Sequence, residues 1–78
     1  MGLINHLSQV HTTPLGEVRI RKNLQLEDID VVEYCKKMML NPDSQFVRKG
    51  KNWYCTLNSV CITINASSYT IITAHLIS

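Results

Sequence analysis

Few side chains in this sequence can do chemistry, and the most useful set is His11, Arg19 and His75. These residue types suit one reaction in particular: cleavage of RNA by its own 2′-hydroxyl, without a metal. That reaction needs a base for the hydroxyl and an acid for the leaving oxygen. It also needs cations and hydroxyl donors around a phosphate as charge builds. Histidine titrates near neutrality and serves as either base or acid. Arginine can hold two phosphate oxygens at once. Thr12, Thr73, Lys49 and Lys51 would support such a site. Each candidate also has a plainer role. His11 precedes Thr12-Thr13-Pro14, where it would bond local backbone at a helix start. Arg19 would lie along a helix surface with its charge in water. His75 would be a sheet-face residue met by Thr73 or solvent, and Lys51-Asn52 would be turn residues.

Other chemistries lack their residues. The chain has only Gly2, Gly16 and Gly50, with no phosphate-cradling glycine loop. No Gly-x-Ser-x-Gly elbow occurs. Asp28, Asp30 and Glu33 fall where they would cap or solvate a helix, so no carboxylate pair for glycoside cleavage is evident. His6 and His11 lie five apart, without acids placed to complete a metal site, so no metal and no cofactor is expected. Cys35, Cys55 and Cys61 are odd in number and form no Cys-x-x-Cys pair. They are expected to be free, buried thiols in a reducing compartment. No apolar run approaches the roughly 20 residues of a membrane span, and the opening Met-Gly-Leu-Ile-Asn lacks the pattern of a secretory signal. A cytoplasmic protein without membrane association is expected.

Charge is distributed unevenly although the net value is only +2. All six acidic residues lie between Glu17 and Asp43, while Arg48, Lys49, Lys51 and His75 follow with no carboxylate side chain among them. A sheet with that balance would present a positive field suited to an anionic partner. A solubilising hairpin tip would leave the same trace.

The elements that must position these residues follow from hydrophobic period. A chain of 78 residues supports one domain, 1–78, with a thin stability margin. Leu3, Leu7 and Val10 mark a short amphipathic turn. Thr13 as cap and Pro14 at the first position begin a helix to about Leu24, with Gly16, Ile20 and Leu24 facing the core. Asp28 or Asp30 caps a second helix ending near Leu40, with Ile29, Val32, Cys35 and Met39 on one face. Asn41-Pro42-Asp43-Ser44 is a turn, and the period then changes to two. Strands are expected at Gln45–Lys49, Asn52–Leu57, Val60–Asn65 and Tyr69–Ile77, joined by links short enough to force antiparallel neighbours. The fold class is therefore α+β, with two to three N-terminal helices (1–40) packed on a four-stranded antiparallel β-meander (44–78).

Strict alternation sorts the faces. Trp53, Cys55, Leu57, Val60, Ile62, Ile64, Ile72, Ala74 and Leu76 would lie against the helices. Tyr54, Thr56, Thr63, Asn65, Tyr69, Ile71, Thr73 and His75 fall on the opposite side. Its polar members make an aromatic-bearing surface, with Thr12, Lys49, Lys51, Tyr54 and Tyr69 as expected nucleic-acid contacts.

Three segments carry a resemblance: His11-Thr-Thr-Pro-Leu-Gly-Glu-Val-Arg-Ile-Arg-Lys-Asn-Leu24, Gly50-Lys-Asn-Trp-Tyr54, and Ile62-Thr-Ile-Asn-Ala-Ser-Ser-Tyr-Thr-Ile-Ile-Thr-Ala-His75. They resemble a small bacterial domain family of unknown function, over nearly the whole chain. The layout is also similar to RelE-like and colicin-D-like ribonuclease toxins. That looser resemblance implies a helix-plus-sheet fold, metal-free RNA cleavage, and site positions His11, Arg19, Thr73 and His75. It is a fold-level analogy, since this chain is less basic than such toxins. The expectation is a small RNA-binding domain with toxin-like endoribonuclease chemistry, with RNA and an antitoxin or other protein as partners. The alternative is a non-enzymatic interaction protein, such as a phage- or plasmid-borne inhibitor that uses its sheet face or basic hairpin. Either would be a monomer or homodimer. Convergence of His11, Arg19 and His75 in one cleft discriminates between the two.

Overall fold

Helix starts need acceptors for backbone N–H groups that have no partner within the helix. The computed structural model describes residues 3–77 and shows two such starts. Thr13 Oγ1 accepts the Gly16 N–H at 3.0 Å and opens α1 (Pro14–Asn23). An Asp30 carboxylate oxygen accepts the Glu33 N–H at 3.1 Å and opens α2 (Val31–Leu40). A 3₁₀ helix, Ile4–Gln9, precedes them. The chain then forms β1 (Gln45–Lys49), β2 (Asn52–Leu57), β3 (Val60–Asn65) and β4 (Ile71–Leu76). These pair antiparallel in the order β1-β2-β3-β4, giving an α+β fold. The expected helices and sequential meander are both present.

Turn chemistry sets the register. Lys49 faces Asn52 across a two-residue loop, and Gly50 takes the left-handed conformation with φ of 61°. A positive φ at the first loop position alone is the type II′ pattern, which glycine fits without a Cβ clash. Leu57 faces Val60 across Asn58-Ser59, with φ of 49° and 68°. Two positive values make type I′, whose twist matches that of the strands.

The core lies between one sheet face and the helices. Leu3, Val10, Ile20, Val31, Cys35 and Met39 meet Cys55, Val60, Ile62, Ile64, Ile71 and Ala74 there. Three sequence expectations change. The buried stripe of α2 is Val31, Cys35 and Met39, whereas Ile29 is exposed and Val32 only half-buried. Asp30 caps the helix after Ile29, so four-residue spacing runs from Val31. In β4 a bulge falls opposite Thr63 and Ile64: Ile64 faces Ile71 and Thr63 faces Thr73, leaving Ile72 unpaired between them. Ile71 is therefore buried and Ile72 exposed, the reverse of strict alternation. One extra residue moves side chains to the other face. The strand also starts at Ile71 rather than Tyr69, which has φ of 59° and belongs to the preceding loop.

An edge strand leaves backbone groups open to unwanted pairing. On β4 they are met from the N-terminal half. The Ile71 N–H donates to His11 O at 2.7 Å, and Thr12 Oγ1 donates to Ile71 O at 2.8 Å. Asn23 Nδ2 donates to Ala74 O at 3.2 Å. Among the described residues, no helix is long and apolar enough to cross a membrane.

Gly16 makes that closure feasible. A Cβ there would overlap Thr12 Oγ1 and would lie 3.1 Å from Thr13 Oγ1. One hydroxyl holds β4 and the other caps α1, so neither can move without losing its hydrogen bond. Glycine-to-alanine normally favours an exposed helix interior by about 1 kcal/mol. Here Gly16→Ala should instead destabilise, by about 1–2 kcal/mol for a lost cap or buried bond. Urea unfolding of the two proteins measures the sign.

Candidate functional site

Antiparallel register places directly opposed residues on the same face. On the face away from the helices, three rows cross the sheet. Lys49, Asn52 and Asn65 form the row at the β1–β2 turn. Val47, Tyr54, Thr63 and Thr73 form the next. Gln45, Thr56, Cys61 and His75 form the third. Lys51 stands exposed in the turn itself. Among the described residues this face carries no carboxylate, and it contains Lys49, Tyr54, Thr73 and His75 from the sequence candidates. Asn23, on α1, approaches it from the β4 edge, with Nδ2 3.5 Å from Thr73 Oγ1. Arg19 is one helical turn before Asn23 and is exposed, so it borders the same edge.

Other candidates lie elsewhere. His11 is joined by a parallel bridge to Thr70, ahead of β4. Its Nδ1–H donates to Gln9 O at 2.9 Å, and Nε2 shares a hydrogen with Thr70 Oγ1 at 3.0 Å. Both ring nitrogens are engaged in holding this junction, as the plainer reading of the sequence had it. At about 3.3 Å per strand residue, the path from Thr70 to His75 is about 16 Å. His11 and His75 therefore do not converge, and no cleft opens between them among the described residues. Thr12 is committed to Ile71 O. Tyr69 is not on the open face: its ring stacks on His6 with centroids 5.0 Å apart, and it packs against the core. Its left-handed backbone, invisible to a period-two reading, turns it there. Arg48 points to the helix side of β1, with its guanidinium carbon 5.7 Å from the Trp53 ring centroid. Asn23 is the contact that sequence reasoning missed, although its place one turn after Arg19 signalled the edge.

His11→Ala should therefore cost stability, about 0.5–1.5 kcal/mol for its solvent-exposed side-chain hydrogen bonds. Thermal unfolding of the variant measures it, and an unchanged midpoint would contradict the structural role.

The thiols report on the two faces. All three cysteines are free. Burial pushes the Cys35 thiol from 9.0 up to about 12, with Cys55 adding to the shift. Burial likewise raises Cys55 to about 11, against a lowering hydrogen bond from Ser44 and with Cys61 adding to the rise. Cys61 is half-buried on the open face. A thiolate-directed reagent at pH 8 should modify Cys61 first and the other two only in denaturant. Above pH 9 the unfolded chain loses thiol protons that the folded chain keeps. The unfolded state then binds fewer protons, so folding stability falls as pH rises towards 12. A Cys35→Val variant should show a shallower decline in urea midpoint between pH 8 and 10.5.

Neither the curated proteins nor the solved structures yield a match to this chain. The looser resemblance to RelE-like and colicin-D-like toxins gains no support. The family comparison does match, over residues 4–75, and so covers all three segments that carried the first resemblance. The chain belongs to the family described as a protein of unknown function (DUF3781).

Proposed function

We propose that this domain is an RNA-binding module that works through the open face of its sheet and the adjoining β1–β2 turn. The observation that carries the reading is the distribution of charge. Every acidic side chain precedes β1, while the open face offers Lys49 and His75, with Lys51 at its rim and no carboxylate among the described residues. The only ion pair among the described residues is Arg21–Glu17 on α1, at 2.9 Å, so Lys49 and Lys51 are not neutralised by a neighbour. Unneutralised cations on an open surface attract polyanions, whose bound counterions are released on contact. Thr56, Thr73, Asn52 and Asn65 add uncharged groups that can bond phosphate, sugar or base edges.

The reading assigns binding and no cleavage step. General acid–base catalysis needs its groups within hydrogen-bond reach of the reacting atoms, about 2.6–3.2 Å. His11 is held at Thr70, which lies about 16 Å along the strand path from His75, with both ring nitrogens occupied.

Binding of a labelled RNA, followed by fluorescence anisotropy across a salt series, tests the proposal. Wild type should bind at ~50 mM salt and weaken as salt rises. Lys49→Ala and Lys51→Ala should each weaken all RNA sequences alike and reduce the log–log salt slope by about 0.7 per contact. Undetectable binding at ~50 mM salt would overturn the reading. RNA incubated with the protein in EDTA should stay intact. Products ending in a cyclic phosphate, lost in His75→Ala, would instead restore the nuclease expectation.

A further inference from the structure

Thr63 poses a packing question. It lies in the middle of the face that no helix covers, yet it is only 7 % exposed. Something on that face must shield it. Directly opposite on β3's two sides are Tyr54 and Thr73. Threonine is too small to cover a neighbour alone, whereas a tyrosine ring has the area, and Ile72, turned to this face by the bulge, adds an apolar neighbour on the β4 side. Tyr54 is itself only half-buried. A ring that covers Thr63 with one face and keeps partial exposure presents its other face to solvent. A half-exposed tyrosine ring on an open sheet face can serve as a stacking platform. Its surroundings narrow what would stack there. Val47 flanks it on the far side, 57 % exposed, and the Lys49–Asn52 row is two residues along the strands. Two residues of strand measure about 6.7 Å, so a Lys side chain can reach a phosphate next to a base resting on the ring.

We propose that the open face selects unpaired RNA by stacking one base on Tyr54 while Lys49 and Lys51 hold the neighbouring phosphates. The proposal rests on the RNA reading above and adds a substrate class to it. Duplex RNA hides its base faces in the helical stack and offers a protein chiefly shape, phosphates and 2′-hydroxyls. Single strands expose a π-face at every base, which a flat ring can use without reading sequence. Charge alone would favour the duplex, whose phosphates are denser. Preference for single strands therefore reports the ring rather than the lysines.

The test compares a single-stranded oligouridine, a blunt RNA duplex of the same length, and three proteins: wild type, Tyr54→Phe and Tyr54→Leu. Wild type should bind the single strand more tightly than the duplex. Tyr54→Phe keeps the ring and should bind within about twofold, while Tyr54→Leu should lose about tenfold or more for the single strand. The salt slope of Tyr54→Leu should match wild type, because the phosphate contacts remain. If Tyr54→Leu does not fold, the Tyr54 ring protons of wild type decide the question: they should move upfield as oligouridine is added. Equal affinity for both RNAs, unchanged binding by folded Tyr54→Leu, or unmoved ring protons would overturn stacking while leaving RNA binding intact. Absence of binding to either RNA at ~50 mM salt would overturn the RNA reading itself.

Discussion

Ile71 is where the two halves of this chain become one structure. Its side chain is buried in the core, its N–H donates to His11, and its carbonyl accepts from Thr12. The ideal position of a Cβ on Gly16 lies 3.6 Å from that same carbonyl. A meander alone ends in two unpaired edges, and four strands with one bare apolar face would associate through them. Here the segment before α1 supplies backbone and hydroxyl partners to the start of β4, and α1 then runs beside that strand with Asn23 reaching Ala74. Local sequence forms each helix and hairpin. A contact spanning 59 residues of chain fixes how they sit together.

That closure has a consequence for the other side of the sheet. Both helices and the 3₁₀ helix contribute their buried residues to one core, so no element of the described chain remains to cover the second face. Antiparallel sheets tolerate this when the outer residues are polar. The residues found there are threonines, asparagines, a glutamine, a cysteine, a lysine, a histidine and a tyrosine, with Val47 and the bulged Ile72 as exposed apolar exceptions. The acidic side chains serve the helical half: Asp30 caps α2 and Glu17 pairs with Arg21. An exposed pair of that kind adds little stability.

Much of this was legible in the sequence because local rules act alone there. Thr13-Pro14, Asp30, Gly50 and Asn58-Ser59 each mark a boundary that the structure respects. From Gln45 to Asn65 the period of two holds, and the faces of β2 and β3 follow directly. The reading failed where two similar residues adjoin. Ile71 and Ile72 are identical to any hydrophobic pattern, and only the bulge decides which is buried. Val31 and Val32 pose the same ambiguity, settled by the position of the Asp30 cap. Tyr69 was assigned to the open face because a strand was extended through a residue whose backbone is left-handed. In the candidate site, Lys49, Tyr54, Thr73 and His75 share a face because short hairpins fix their register. His11 does not join them, because its place depends on the long-range bridge to Thr70.

The case of His11 illustrates how a reactive residue type becomes structural. An imidazole has two nitrogens, and catalysis needs at least one free to exchange a proton with substrate. Here one is turned to the Gln9 carbonyl and the other to Thr70, whose hydroxyl lies 2.8 Å from Ser68 Oγ. Ser68 is itself tied to Asn65, whose Oδ1 accepts the Ser67 and Ser68 N–H groups. The chain of hydrogen bonds ties the segment before α1 to the β3–β4 loop. Freeing the His11 ring for chemistry would cost its bonds to Gln9 and Thr70, while the backbone bonds of this junction would remain. His75 is under no such constraint: it lies exposed on the open face, opposite Cys61, in the row beyond Thr73. On the proposed reading a lone exposed imidazole, two rows along and three strands across from Lys49, can donate to phosphate, as can the hydroxyls around it, but cleavage would need a second acid or base at the same phosphate.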